Sequence, residues 1–211
     1  MGAELLYALW ETLYMVIVST VLSGIFGSGV AILMIITGPS GLRPNAPLYR
    51  VLDVVVNLLR SFPFIILLIA IIPLTRIIVG TSIGSTASIV PLTIAATPFV
   101  ARLMEGSLLE VDRGVVEAAK SFGASTWQII WGVMIKEAMP SLVLNWAVVA
   151  INLLGYSAMA GVVCGGGLGD LAIKYGYNRF QTDVMIYSVA ILIVVVQVIQ
   201  CIGNYIYEKI R

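Results

Sequence analysis

The side chains that carry most enzyme chemistry are scarce in this sequence. The chain of 211 residues has no histidine, and its 11 acidic residues fall mainly in predicted loops and at predicted helix ends. A zinc peptidase would need histidine ligands, and a serine hydrolase would need a base beside Ser61 or Ser157, where no lysine or histidine lies within the predicted spans. We therefore expect no catalytic residue and no resident metal ion, and a membrane-embedded enzyme is the disfavoured alternative.

The longest polar interval, residues 104–140, has the pattern of a docking surface instead. Asp112 is suited to cap a helix, and Gly123 to end it in the left-handed conformation that glycine tolerates. Between them apolar residues recur at the spacing of one helical face, with either alanine of the pair at 118 and 119 completing it. The residues that we single out here are Val115, Glu117, Ala118, Ala119, Phe122 and Gly123.

A second short helix is predicted directly after this stop. Ser125 and Gln128 have the spacing of a capping box, in which each side chain satisfies a backbone N–H of the other residue. The helix is expected to cover about 127–137. Pro140 suits the first turn of the next helix, because the N–H that proline lacks has no helical partner there.

These helices must be positioned by a membrane-embedded scaffold. Apolar residues make up 60% of the chain and charged residues 11%, far from the balance of a soluble domain. The sequence predicts an all-α integral membrane protein with one domain over residues 1–211, because a span needs about 20 apolar residues. Five spans are expected at about 12–36, 62–79, 89–103, 142–163 and 184–206. Asn57 and Arg60 are predicted to lie near the membrane surface, because a charge at mid-bilayer has a large free-energy cost.

Glycines mark two further features. Gly24, Gly27 and Gly29 of the first span are small enough to let a neighbouring helix approach closely. The glycine cluster at 165–169 lacks the Lys-Ser/Thr of a phosphate-binding loop, so we predict a flexible outer turn and no ATP site of that kind.

Lysine and arginine positions predict the orientation of the chain. Cytoplasmic loops carry an excess of these residues. One side collects Arg43, Arg50, Arg60, Arg102, Arg113, Lys120, Lys136, Lys209 and Arg211, whereas the other has only Arg76, Lys174 and Arg179. The N-terminus is therefore predicted outside, with the C-terminus and residues 104–140 in the cytoplasm. A net charge of +1 without a basic run argues against binding of nucleic acid.

The polar interval resembles the cytoplasmic loop of permease subunits in ATP-binding-cassette (ABC) importers. Glu117, Ala118, Ala119, Gly123 and Pro140 match the family's Glu-Ala-Ala, glycine and proline signature in order and spacing. The resemblance implies the type I importer permease fold, in which this loop is a coupling helix. It also implies that Val115 and Phe122 belong to the surface that contacts the ATPase, and that ATP and magnesium bind to that partner.

Longer stretches at 10–12, 60–68, 75–84 and 155–159 are similar to the methionine-importer branch of this family. The resemblance implies a homodimeric permease in a bacterial inner or cytoplasmic membrane. Two cytoplasmic ABC ATPase subunits and an extracytoplasmic methionine-binding protein would complete the transporter. Cys164 departs from the small residue that we expect before the glycine cluster.

A substrate path is predicted on the fourth span. Tyr156 and Met159 lie one turn apart and offer soft, polarizable contacts to an apolar side chain. Asn152 precedes them by one turn, and Ser157 is included in the candidate path. Helix packing is the alternative explanation of the same residues. A permease for another small solute also stays open, since only the resemblance favours L- or D-methionine and close analogues.

Overall fold

A computed structural model describes residues 2–163 and 165–210. The predictions for Cys164 and for the charge of Arg211 concern residues outside the described ranges. Within these ranges every regular element is helical. The helices are α1 (Gly2–Thr37), α2 (Ala46–Arg60), α3 (Phe64–Ala70), α4 (Ile72–Val79), α5 (Ser85–Leu109), α6 (Arg113–Ser121), α7 (Thr126–Ile129), α8 (Ile135–Ala160), α9 (Gly167–Leu171) and α10 (Thr182–Ile210). Two π-helical turns, Ile130–Met134 and Ala172–Tyr177, and one 3₁₀ turn, Gly161–Val163, connect some of them.

Among the described residues, four helical segments are long and apolar enough to cross a membrane alone. They are α1, α5, the continuous segment Thr126–Val163 and α10. A fifth crossing is possible at α2 and α3, which pass the same test together but meet at 99°. The predicted all-helical membrane fold is thus confirmed.

The second predicted span is not one continuous helix. Pro63 precedes α3 in an extended conformation, which ends α2 and allows the sharp bend. A second break follows at Ile71, because Pro73 in the first turn of α4 has no N–H to continue the α3 hydrogen bonds. Residues 62–79 therefore form two short helices after a bend.

The prediction that Pro140 begins a helix is wrong. Pro140 lies inside α8, and the second short helix of the polar interval is continuous with the fourth span. A buried stripe at four-residue spacing explains the continuity: Ile130, Met134, Ala138 and Leu142 all pack into the core. This packing holds the helix together across the one backbone hydrogen bond that proline removes.

The glycine cluster is also not a flexible turn. Leu168 and its neighbours Gly167 and Gly169 are buried, and they begin the short helix α9. The N–H of Gly167 donates to Glu11 Oε2 and that of Leu168 to Thr12 Oγ1, both at 2.9 Å. Two hydrogen bonds to α1 thus anchor this segment.

Glycines of α1 allow the central helix contacts. A Cβ at Gly27 would lie 2.7 Å from Val100 Cβ and 2.8 Å from the Thr97 carbonyl of α5. A Cβ at Gly24 would collide with the Trp146 ring of α8. Gly29 has open space around it, so the predicted close approach holds for the first two glycines only.

We expect Gly27→Ala to destabilise the permease by roughly 1–3 kcal/mol, because the added methyl overpacks the contact with the α5 backbone. Thermal unfolding of the purified protein in detergent measures the effect. Gly29→Ala on the same helix is the matched control and should be neutral or slightly stabilising. Equal melting temperatures for the two variants would contradict the close contact.

Candidate functional site

Helix α6 begins and ends as its sequence predicts. Asp112 Oδ1 accepts hydrogen bonds from the N–H of Gly114 at 2.7 Å and of Val115 at 3.3 Å. Gly123 has φ +79°, and the N–H of Ala124 returns to the Ala119 carbonyl at 3.1 Å. These local contacts define a helix with sharp boundaries, which is what a docking element requires.

The two faces of α6 differ in their surroundings. Val116 and Ala119 pack against the core cluster that includes the buried turn Ile129–Ile130. Val115, Ala118 and Phe122 point away from it, and the Phe122 side chain is 91% exposed. Glu117 is exposed beside a cavity of about 380 Å³ between α6, the end of α5 and the turn after α1. The chain therefore presents an apolar face with no partner among its described residues.

Two tryptophans extend this apolar surface. The capping box predicted at Ser125 and Gln128 is present, with the Ser125 N–H donating to Gln128 Oε1 at 2.8 Å. It starts the helix so that Trp127 and Trp131 are each 59% exposed, while Ile129 between them is buried. These tryptophans are not among the predicted site residues, although their four-residue spacing places them on one helical face.

A charged cluster joins α2 to α5 near this surface. Arg102 Nη1 donates to Glu105 Oε2 at 2.7 Å, and Arg102 Nη2 donates to Asp53 Oδ1 and to Asn57 Oδ1. The Tyr49 hydroxyl donates to Glu105 Oε1 at 3.0 Å. The Glu105 side chain is only 3% exposed, so its charge depends on these partners. From the sequence, Arg102 is predicted only as one of the basic residues on the cytoplasmic side.

The candidate path residues of α8 lie on two sides of the helix. Asn152 and Met159 are on its open side with Gly155, and Met159 is 48% exposed. Tyr156 stacks on Phe64 of α3, with ring centroids 4.6 Å apart and planes 6° from parallel. Ser157 is buried, and its hydroxyl donates to the Leu154 carbonyl at 2.7 Å. Asn152, Tyr156 and Met159 therefore lie on one part of the helix surface, and Ser157 lies apart from them in the core.

The described residues offer no group of three or more acidic, cysteine or histidine side chains arranged to hold a metal ion. What the site offers is an apolar surface at α6 and α7, a charged cluster behind it and an open side of α8.

Comparison with known proteins decides what kind of protein this is. Residues 27–211 match the family described as binding-protein-dependent transport system inner membrane component. The chain belongs to this family. It is thus a membrane-embedded transport subunit, and the prediction that it is not an enzyme is confirmed.

Relatives and solved structures are similar over most of the chain. A probable D-methionine transport system permease protein of Vibrio cholerae is 50% identical over 206 residues, which are 98% of this chain and 92% of that protein. The D-methionine transport system permease protein of Escherichia coli K12 is 48% identical over 157 residues, 74% of this chain and 72% of that protein. A crystal structure of the MetNI methionine ABC transporter in inward-facing conformations has a chain with TM-score 0.98 and 44% identity, covering 100% of this chain and 98% of that one. The type I importer fold and an ATPase partner follow from these matches.

We expect Gly123→Val to weaken binding of the ATPase and to abolish ATP-driven transport. A β-branched residue at φ +79° costs about 1–2 kcal/mol, and relief of this strain would redirect the end of α6. Co-purification of the ATPase with the tagged permease measures the effect.

Gly132→Val is the matched control for this substitution. A Cβ at either glycine meets open space, but Gly132 has a helical backbone that valine adopts. If the Gly123→Val permease co-purifies as much ATPase as the wild type, the role of Gly123 in ending α6 is contradicted.

Proposed function

We propose that this chain is the permease of an ATP-driven importer that moves methionine, as the L or D enantiomer or a close analogue, into the cell. The carrying observation is the match to D-methionine permeases along nearly the whole chain, together with the exposed apolar face of α6. Two copies of the chain would form the path at their interface. Two cytoplasmic ATPase subunits would bind ATP and magnesium, and an extracytoplasmic protein would deliver the substrate.

Coupling would depend on the surface of Val115, Ala118 and Phe122, with Trp127 and Trp131 beside it. An aromatic side chain that leaves water on binding contributes about 1.5–3 kcal/mol. Phe122 stands at the end of a helix with defined caps, so its position is fixed before the partner arrives. Movement of the ATPases on ATP binding would therefore displace α6 as a body and switch the spans between inward and outward openings.

The path would follow the open side of α8. Asn152 offers an amide to the charged groups of an amino acid, and Met159 offers a polarizable contact to its side chain. Tyr156 contributes the edge of a ring that Phe64 holds in place. The buried hydroxyl of Ser157 supports the helix on its other side.

Reconstitution tests the function directly. The permease, its ATPase and its binding protein in proteoliposomes should import labelled methionine only when ATP is present on the ATPase side. Competition with L-methionine, D-methionine, leucine and histidine defines the substrate. ATP-driven uptake of another solute, without uptake of methionine, would contradict the proposed substrate and would still support the assignment as a permease.

The proposed orientation places residues 104–140 and the C-terminus in the cytoplasm and the N-terminus outside. We expect Ser125→Cys, in a chain with both native cysteines replaced by serine, to resist a membrane-impermeant maleimide in sealed cells. Permeabilised cells should label fully. Tyr177→Cys, on the opposite predicted side and exposed, is the positive control. Labelling of Ser125→Cys but not of Tyr177→Cys in sealed cells would reverse the orientation.

We expect Met159→Ala combined with Tyr156→Ala to change the apparent affinity for transported methionine by about threefold or more, because two polarizable contacts of about 0.3–1.5 kcal/mol each together contribute about 0.6 kcal/mol at the least. Concentration-dependent uptake, normalised to assembled complex, measures the change. Ile193→Ala on the exposed side of α10 is the control and should leave uptake unchanged. A double variant that only melts earlier would assign these residues to packing.

A further inference from the structure

The charged cluster on Arg102 connects the two ends of the proposed transport machinery. Tyr49 and Glu105 line the same cavity of about 380 Å³ as Val116, Glu117 and Lys120 of α6. From Glu105 the contacts continue through Arg102 to Asp53 and Asn57 on α2. The cluster therefore stands between the coupling helix and the second span.

At its other end, α2 leads into the path. It ends at Arg60, the chain bends by 99°, and Phe64 begins α3 in contact with Tyr156. Phe64 is buried, so it moves only if α3 moves with it. A rotation of α2 about the bend would shift the Phe64 ring against the α8 residue that we place beside the substrate.

The geometry of the cluster is suited to transmitting motion from α5 to α2, and not only to holding the two helices together. Arg102 of α5 donates to two acceptors on α2, Asp53 and Asn57. Within the described ranges of the chain, the other polar contact between the two helices is the single hydrogen bond from Tyr49 of α2 to Glu105 of α5. The Arg102 guanidinium is a planar fork that fixes direction as well as distance. Its buried Nε–H has no hydrogen-bond partner among the described residues, which leaves one donor free for a second arrangement when α2 shifts.

We propose that Arg102 is a positioning residue that makes α2 follow α5 and α6, so that ATP-driven motion of the coupling helix reaches the Phe64–Tyr156 stack. This inference rests on the proposed function, because the stack matters only if α8 borders the substrate path. Asp53 and Asn57 are the acceptors through which the motion passes to α2.

The test removes the α2 acceptors and leaves Arg102 paired with Glu105. In proteoliposomes with the ATPase and the binding protein, Asp53→Ala with Asn57→Ala should keep the ATPase rate while methionine uptake falls about tenfold, so that more ATP is hydrolysed for each methionine imported. Asp53→Glu with Asn57→Gln preserves the acceptor groups and should restore most of the uptake. Val54→Ala with Leu58→Ala removes exposed side chains from adjacent positions of the same helix and should leave the ratio unchanged.

A structural role predicts a different result. If the cluster only holds α2 in place, uptake and ATPase rate fall together with the amount of folded complex, and the ratio stays at the wild-type value. That outcome overturns the proposal, and so does wild-type uptake in the double alanine variant.

A second measurement does not depend on the substrate. Ile65→Cys, next to Phe64 on α3 and exposed, keeps the stack; with the native cysteines replaced, its maleimide reactivity should change about fivefold or more when the ATPases are trapped with ATP and vanadate. In the double alanine background the trapped fraction should be unchanged and the reactivity change lost. A retained change overturns the transmission role. A wild-type complex that imports no methionine overturns the proposed function instead, and this arm then decides the role of Arg102.

Discussion

Gly27 brings the backbone of α1 against Val100 and Thr97 of α5, and the remaining membrane helices are arranged around that pair. Helices α2 and α8 each contact both members of the pair, and α10 reaches it through α8. Apolar lipid gives helices no hydrophobic reason to associate, so close approach at small residues supplies the packing energy. The α1–α5 contact therefore determines where the bent second span and the candidate path helix stand.

Features that depend on neighbouring residues were predicted correctly. The features at Pro140 and at the glycine cluster, which depend on contacts with distant helices, were not. The Asp112 cap, the Gly123 stop and the Ser125–Gln128 box depend on residues within three or four positions of one another, so their geometry follows from sequence alone. Pro140 also carries a local signal, for a helix start, but the buried stripe that crosses it depends on α5 and α6. The glycine cluster was predicted to be flexible because its partners, Glu11 and Thr12, lie 156 residues earlier.

The same limit applies to the candidate site. Val115 and Val116 are adjacent, as are Ala118 and Ala119, so helical periodicity cannot decide which member of each pair faces out. The contact of α6 with the turn at Ile130–Met134 decides it. Likewise, Arg102 reads as one more cytoplasmic cation until α2 is seen to place Asp53 beside it. Met159 is exposed in the folded chain and the nearby Ser157 is buried, and the periodicity of the sequence does not predict this difference.

The hydrogen bonds between α1 and α9 join segments that are synthesised at widely separated times. Glu11 is synthesised 156 residues before Gly167, so its carboxylate accepts this hydrogen bond only when Gly167 has been added. At about 5–20 residues per second, a ribosome takes roughly 8 to 30 s to make the 156 residues between them. During that interval the Glu11 carboxylate lacks the backbone N–H that it binds in the folded chain. The contact between α1 and α9 therefore forms late, after the segment Thr126–Val163 has been synthesised.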